Sequence, residues 1–196
     1  MNTKLLRKTV LGVAGVAFAG GVIGGPVGTA LESPAHAATP VAVVQAEKPD
    51  AGKLMPNGVP GGQSRIPLDA EQTANVKAIV EATKKAGMDE RAAVVAIATS
   101  LQESKLENLG HLGDRNDHDS QGLFQQRPSS GWGTVEQITD PEYSTTAFLK
   151  GLKQVDGWQD MPLTEAAQTV QVSAYPDHYA QWEKQAADLV AEHWNS

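Results

Sequence analysis

The chain of 196 residues contains no cysteine. That excludes disulfide bridges, thiol catalysis, thiolate metal sites and lipid attachment at a cysteine. An exported form would have to hold its fold by its core alone. Aromatic residues are scarce, at 5% of the chain. Positive charge is also short, with 16 basic side chains against 23 acidic and a net charge of −7. So acidic a surface argues against recognition of nucleic acid or anionic lipid through a basic patch. No convincing apolar/polar alternation occurs, so strands are not expected to carry the fold. No internal repeat is present.

What is there begins with a targeting pattern. Lys4, Arg7 and Lys8 precede an uncharged apolar run over residues 10–19, which glycines and other small residues continue to Ala30. Ser33, Pro34, Ala35, His36 and Ala37 follow, an A-x-A pattern with a helix breaker before it. This reads as a secretory signal peptide over 1–37, cleaved after Ala37, and so as a secreted protein with no stable membrane anchor after cleavage. An uncleaved membrane span fits less well, because Gly12, Gly15, Gly20, Gly21, Gly24, Gly25 and Pro26 dilute the helix. Removing residues 1–37 takes Lys4, Arg7, Lys8 and Glu32, leaving 13 basic against 22 acidic side chains, or −9. Residues 38–64 contain Pro49, Gly52, Pro56, Gly58, Pro60, Gly61 and Gly62 and no apolar period. They are expected to form a flexible linker. Residues 65–196 are expected to form one mainly α domain, long enough to bury a core.

Within that domain Asp69 and Gln72 form a capping-box signal, followed by Val76, Ile79, Val80 and Thr83 on one face, with Gly87 as a stop. Asp89 opens a second helix over roughly 90–103 that is apolar almost all round, the mark of a central buried helix. Residues 105–135 are rich in Gly, Asp, Asn and Ser and predict a long loop, with a small β-ribbon inside 110–135 as an option. Asp140-Pro141 opens a third long helix with Tyr143, Ala147, Phe148, Leu152 and Val155 on one stripe. A shorter helix runs from Thr164 to about Val172. Tyr179, Trp182, Ala186, Leu189, Val190 and His193 stripe a last one.

Glu103 is the first candidate for chemistry. At about 100° per residue, Ala92, Ala96, Thr99 and Glu103 share one strip of the central helix. The strip is small-sided until it ends in a carboxylic acid, where burial meets an opening. Desolvation there raises the pKa and keeps a proton available for donation. By spacing alone, Glu103 is equally well an ordinary surface acid at a helix end.

A second motif shifts the balance. Glu103-Ser104 is followed by Gly122-Leu123-Phe124-Gln125-Gln126-Arg127-Pro128, by Gly131-Trp132-Gly133-Thr134, and by Ser173-Ala174-Tyr175. This order resembles the lysozyme-like lytic transglycosylases and goose-type lysozymes, most of all the small secreted actinobacterial members, over nearly all of residues 70–185. The family usually has Asn where Pro176 stands. The resemblance implies a lysozyme-like helical fold with a central buried helix and a long active-site loop. It also implies a peptidoglycan-cleaving activity exercised on glycan strands by a monomer. Glu103 would be the catalytic acid/base. Gly122 would let backbone approach the sugar, within a substrate-binding set of Ser104, Gly122, Leu123, Phe124, Gln125, Trp132 and Tyr175. Gln125 would hydrogen-bond the substrate. Ser104 would support the geometry near the leaving sugar. Tyr175 would hold Glu103 or pack beside it, and a tyrosine hydroxyl donating to a carboxylate would both orient it and tune its acidity.

Most glycosidases use two carboxylates. The resemblance implies a single-glutamate route instead, in which the muramic acid 6-hydroxyl replaces water and closes a 1,6-anhydro ring. Hydrolysis is the alternative, with Asp114, Asp117 or Asp119 as base for a water. A non-catalytic glycan-binding module on the same fold is a further alternative. So acidic a protein would have to hold a wall polymer by shape and hydrogen bonds. The loop beginning at Asp114 fails as a calcium loop at His118, Asp119 and Gln125. His111 and His118 do not match a zinc spacing, and no cofactor is expected. Trp182 belongs to an apolar stripe and is expected in the core. Trp132, in a Gly-rich loop, is a candidate for sugar or loop packing. Trp158 has no assignment from its surroundings.

Overall fold

The computed structural model describes residues 47–196 apart from Pro60, Asp114, Arg115 and Ala174. The expected signal peptide and cleavage site lie outside the described residues. So does the start of the expected linker. The described chain is mainly helical, and no helix in it is long and apolar enough to cross a membrane.

The three longest helices each begin where a side chain can satisfy free N–H groups. Helix α1 (Ala70–Lys85) starts at Asp69, whose carboxylate accepts from the Gln72 N–H at 2.8 Å while the Gln72 side chain accepts from the Asp69 N–H at 2.9 Å. Helix α2 (Glu90–Ser104) is capped by Asp89, which accepts from the Ala92 N–H. Residues 92–98 and Leu101 are fully buried, so this helix is the central one, with α1, α4, α5 and α6 packed around it. Its end is sharp. Lys105 turns left-handed (φ 58°), donates from Nζ to the Leu101 carbonyl at 3.0 Å and lies 4.8 Å above the Trp182 ring. A cation suits the negative end of a helix.

Helix α3 (Val135–Ile138) is one short turn with its own capping box, Thr134 and Gln137. It was not foreseen from the sequence. Helix α4 (Pro141–Leu152) starts at Asp140 with Pro141 in its first turn. Its buried stripe is Ser144, Thr145, Phe148, Leu149 and Leu152. Tyr143, expected on that stripe, is exposed and donates from its hydroxyl to the Trp132 carbonyl at 3.3 Å. Phe148 and Leu152 of the expected stripe are buried, and the rest of the buried face is set by what α4 meets, chiefly α1. Helix α5 (Leu163–Gln171) ends at a left-handed Val172 (φ 53°). The last expected helix is split into a 3-10 turn (His178–Trp182) and α6 (Glu183–His193). Trp182 and Trp158 are both buried. The optional β-ribbon reduces, among the described residues, to one antiparallel bridge between Gln121 and Gln126.

The flexible-linker expectation does not hold over its described part. Ala51, Leu54 and Met55 pack against the core. The buried Arg91 guanidinium donates to the Leu54 carbonyl at 2.9 Å and to Glu183 at 2.6 Å. Ser64 N–H donates to the Gln181 carbonyl at 2.8 Å, and Ile66 exchanges both backbone bonds with the Gln185 amide. Breakers here shape turns that dock, because three apolar side chains and several backbone groups find partners on the helices.

Candidate active site

The Gly122-Leu123-Phe124-Gln125 segment is a tight loop closed by the Gln121–Gln126 bridge, with both backbone bonds at 3.0 Å. Leu123 and Phe124 are fully buried, and Phe124 stacks on Phe148 at 5.0 Å. They were expected in contact with substrate. They are core anchors instead, since the segment is buried from Gly122 to Phe124 and only Gln125 of its four residues lines the cleft. Gly122 holds φ +77°, and a Cβ there would lie 2.0 Å from the Ile138 carbonyl oxygen. The close approach that requires glycine is thus to the protein's own backbone.

Three polar groups fasten this loop beside the end of α2. The Gly122 N–H donates to the Leu109 carbonyl at 2.7 Å. Ser104 is buried and donates to the Leu123 carbonyl at 2.8 Å, so it supports local geometry from behind the site. The Gln171 amide donates to the Phe124 carbonyl at 2.8 Å and reaches the Glu103 carboxylate at 3.5 Å.

Glu103 is half-buried on a cleft of about 760 Å³. The strip behind it, Ala92, Ala96 and Thr99, is fully buried. The cleft lies between the loop of residues 117–132 and the end of α5 with the residues after it, up to Tyr175. Tyr179, fully buried at the start of the 3-10 turn, donates its hydroxyl to Glu103 Oε1 at 2.6 Å. Burial pushes the Glu103 carboxyl above its ordinary value. The Tyr179 and Gln171 hydrogen bonds and the Lys105 charge pull the other way, and the Asp117 charge adds to the rise. Burial likewise holds the Tyr179 phenol far above the usual range, with the Glu103 charge adding to it. Tyr179 is therefore a donor and not a base at any working pH.

Tyr175 does not fill the role expected of it. It lines the cleft, but it is 63% exposed and its ring stacks on His178 at 5.1 Å. The motif tyrosine sits in the stretch after α5, whereas the 3-10 turn is what carries a side chain onto Glu103. The need of a buried phenol for a partner was the signal available for Tyr179. Nothing in the sequence marked Gln171. Gln125 lines the cleft in a left-handed conformation (φ 46°), with its amide on the Gly122 carbonyl at 3.1 Å. Trp132 also lines the cleft and is half-buried.

Of the three loop aspartates, only Asp117 is among the cleft-lining residues that are described. Its carboxyl is held below the ordinary value by the His118 hydrogen bond and by Arg127. Asp119 accepts from the Ser129 N–H and hydroxyl, both at 2.8 Å, and so serves the loop. Asp114 lies outside the described residues. No group of three His, Asp or Glu side chains converges to hold a metal ion among the described residues.

The site can donate one proton from a half-buried, oriented acid and receive it back in an open cleft. No family model matches the chain, and no curated protein matches it.

Proposed function

We propose that the protein is a secreted, lysozyme-like enzyme that cleaves the glycan strands of peptidoglycan, with Glu103 as its acid/base. One observation carries this reading: a single half-buried carboxyl, its pKa raised by burial, held by a buried tyrosine hydroxyl at 2.6 Å on an open cleft. A cleft carboxyl whose pKa is raised by burial is a candidate functional acid. The motif resemblance supplies the substrate class.

In this reading Glu103 passes its proton to the glycosidic oxygen as the C1–O bond breaks. Tyr179 stays hydrogen-bonded and stabilises the carboxylate so formed. That carboxylate then takes the proton from the muramic acid 6-hydroxyl as its oxygen bonds to C1. The products are a free 4-hydroxyl on one chain and a 1,6-anhydro end on the other. Glu103 is protonated again, and no water is consumed.

Hydrolysis is the second reading, favoured by the place of Asp117 in the same cleft. An ionised Asp117 there has the character of a base for water attack. Mass spectrometry of the products from purified peptidoglycan separates the two. Ends one water lighter than reducing ends support the transglycosylase. Reducing ends that vanish in Asp117→Asn support the hydrolase. No release by a folded protein, equal to its Glu103→Gln variant, removes the enzyme reading and leaves a glycan-binding module.

A further inference from the structure

Arg127 stands out in a cleft otherwise made of acids, amides, hydroxyls and apolar groups. It is the only cationic side chain lining the cleft among the described residues, in a chain whose net charge is −7. Its guanidinium is fixed on two sides. Nε donates to the Ser120 hydroxyl at 2.9 Å, and Nη2 donates to Asp117 at 2.6 Å. Nη1 makes no hydrogen bond among the described residues, and the side chain is 34% exposed. A fork locked by two bonds with one donor edge left over is pre-organised for a planar anion. A neutral glycan offers such a group only uncharged acceptors, which bind it more weakly than a carboxylate does.

We infer that Arg127 forms a carboxylate-binding subsite in the cleft, reading the acidic arm that distinguishes muramic acid from a plain N-acetylated sugar. This rests on the proposed glycan-cleaving function. The carboxylate has two sources: the lactyl group of a peptide-free strand, or a stem peptide attached to it. Asp117 sets the orientation of the guanidinium and keeps the local charge near zero until the substrate arrives. The subsite also accounts for how so acidic a protein tolerates an anionic polymer, since one fixed cation sits where the polymer's charge passes.

The test is calorimetric binding with the full chain carrying Glu103→Gln, so that no turnover intervenes. Three ligands of equal length serve as probes: a neutral chitooligosaccharide, a peptide-free muramic acid oligosaccharide and its peptide-bearing counterpart. The expected result is about tenfold tighter binding of at least one acidic ligand over the neutral one at low salt, shrinking as salt is added. Adding Arg127→Gln abolishes the difference through loss of affinity for the acidic ligand. Arg127→Lys, which keeps the charge but loses the fork, retains only part of it. Which acidic ligand gains identifies the source. Arg127→Gln also breaks the tie to Asp117, so Asp117→Asn serves as a second variant. It keeps an oxygen acceptor for Nη2 while losing the charge, and should preserve the discrimination. Equal affinity for acidic and neutral ligands, with the neutral one still bound, overturns the subsite alone. Discrimination that survives Arg127→Gln does the same. Failure to bind any of the three overturns the glycan reading and the subsite with it.

Discussion

Replacing Tyr179 by Phe removes one oxygen atom and nothing else. The ring is fully buried and Phe fills nearly the same space. The lost bond is short, at 2.6 Å, and it ends on the half-buried Glu103 carboxyl. A hydrogen bond to a charged group contributes about 1.5–3 kcal/mol, and each 1.36 kcal/mol in a barrier is tenfold in rate. Tyr179→Phe is therefore expected to lower kcat about ten- to a hundredfold, with the fold intact by circular dichroism. It has a second signature. The Tyr179 bond pulls the Glu103 pKa down against burial, so its loss sends that pKa further up. The alkaline limb of kcat/KM, which reports loss of the acid's proton in the free enzyme, moves to higher pH. Tyr175→Phe is the control. It removes the hydroxyl of an exposed residue that makes no hydrogen bond to Glu103, and it should change the rate less than about threefold, a loss under ~1 kcal/mol. The assay is release of soluble muropeptides across a pH series. Equal losses in the two variants, or an unmoved alkaline limb in Tyr179→Phe, would refute the assignment of Tyr179.

Three further outcomes are expected. In the folded chain burial raises the Glu103 pKa above its unfolded value, so between the two values the folded chain holds a proton that the unfolded chain has released. Stability falls as pH rises through that window. Glu103→Gln cannot titrate. It should lose turnover yet be more stable than the parent at neutral pH, the gap closing towards pH ~4. Urea unfolding at both pH values measures it, and a Gln variant less stable at neutral pH contradicts the burial account. Gly122→Ala meets both a left-handed φ and the Ile138 carbonyl, so it should cost clearly more than the ~1–2 kcal/mol of the backbone effect alone. Gly87→Ala, with a similar φ (+66°) and no atom within 4 Å of its added Cβ, should cost only that effect. Equal midpoints for the two would refute the clash. Glu183→Leu leaves the buried Arg91 without its carboxylate and should destabilise by about 3–5 kcal/mol. Hydrogen exchange should show the 50–58 turns loosening with it.

Helices α1, α2 and α4 were legible in the sequence because their signals are local. Asp69 with Gln72, Asp89 and Asp140-Pro141 satisfy or pre-set backbone groups within one turn, and such pairings do not depend on the rest of the molecule. The small-sided strip ending in Glu103 was legible for the same reason, since helical spacing alone puts Ala92, Ala96, Thr99 and Glu103 together. Local signals failed where two distant segments had to meet. The breakers of 50–64 read as a linker because nothing nearby reveals that Arg91 and Gln181 wait to receive them. Leu123 and Phe124 read as part of a binding motif, and only the packing against Phe148 shows that they are pegs.

The sequence by itself determined the helical class, the central buried helix and the position of the acid. Tertiary structure alone decided which tyrosine holds that acid, Tyr179 over Tyr175, and which aspartate shares its cleft, Asp117 over Asp119. It also recruited Gln171 from the end of α5, 68 positions from Glu103. The physical reason is common to all three. A helix is specified by neighbours a few residues apart, whereas the pKa of an acid is specified by what the folded chain brings within hydrogen-bond reach and by how much water it excludes.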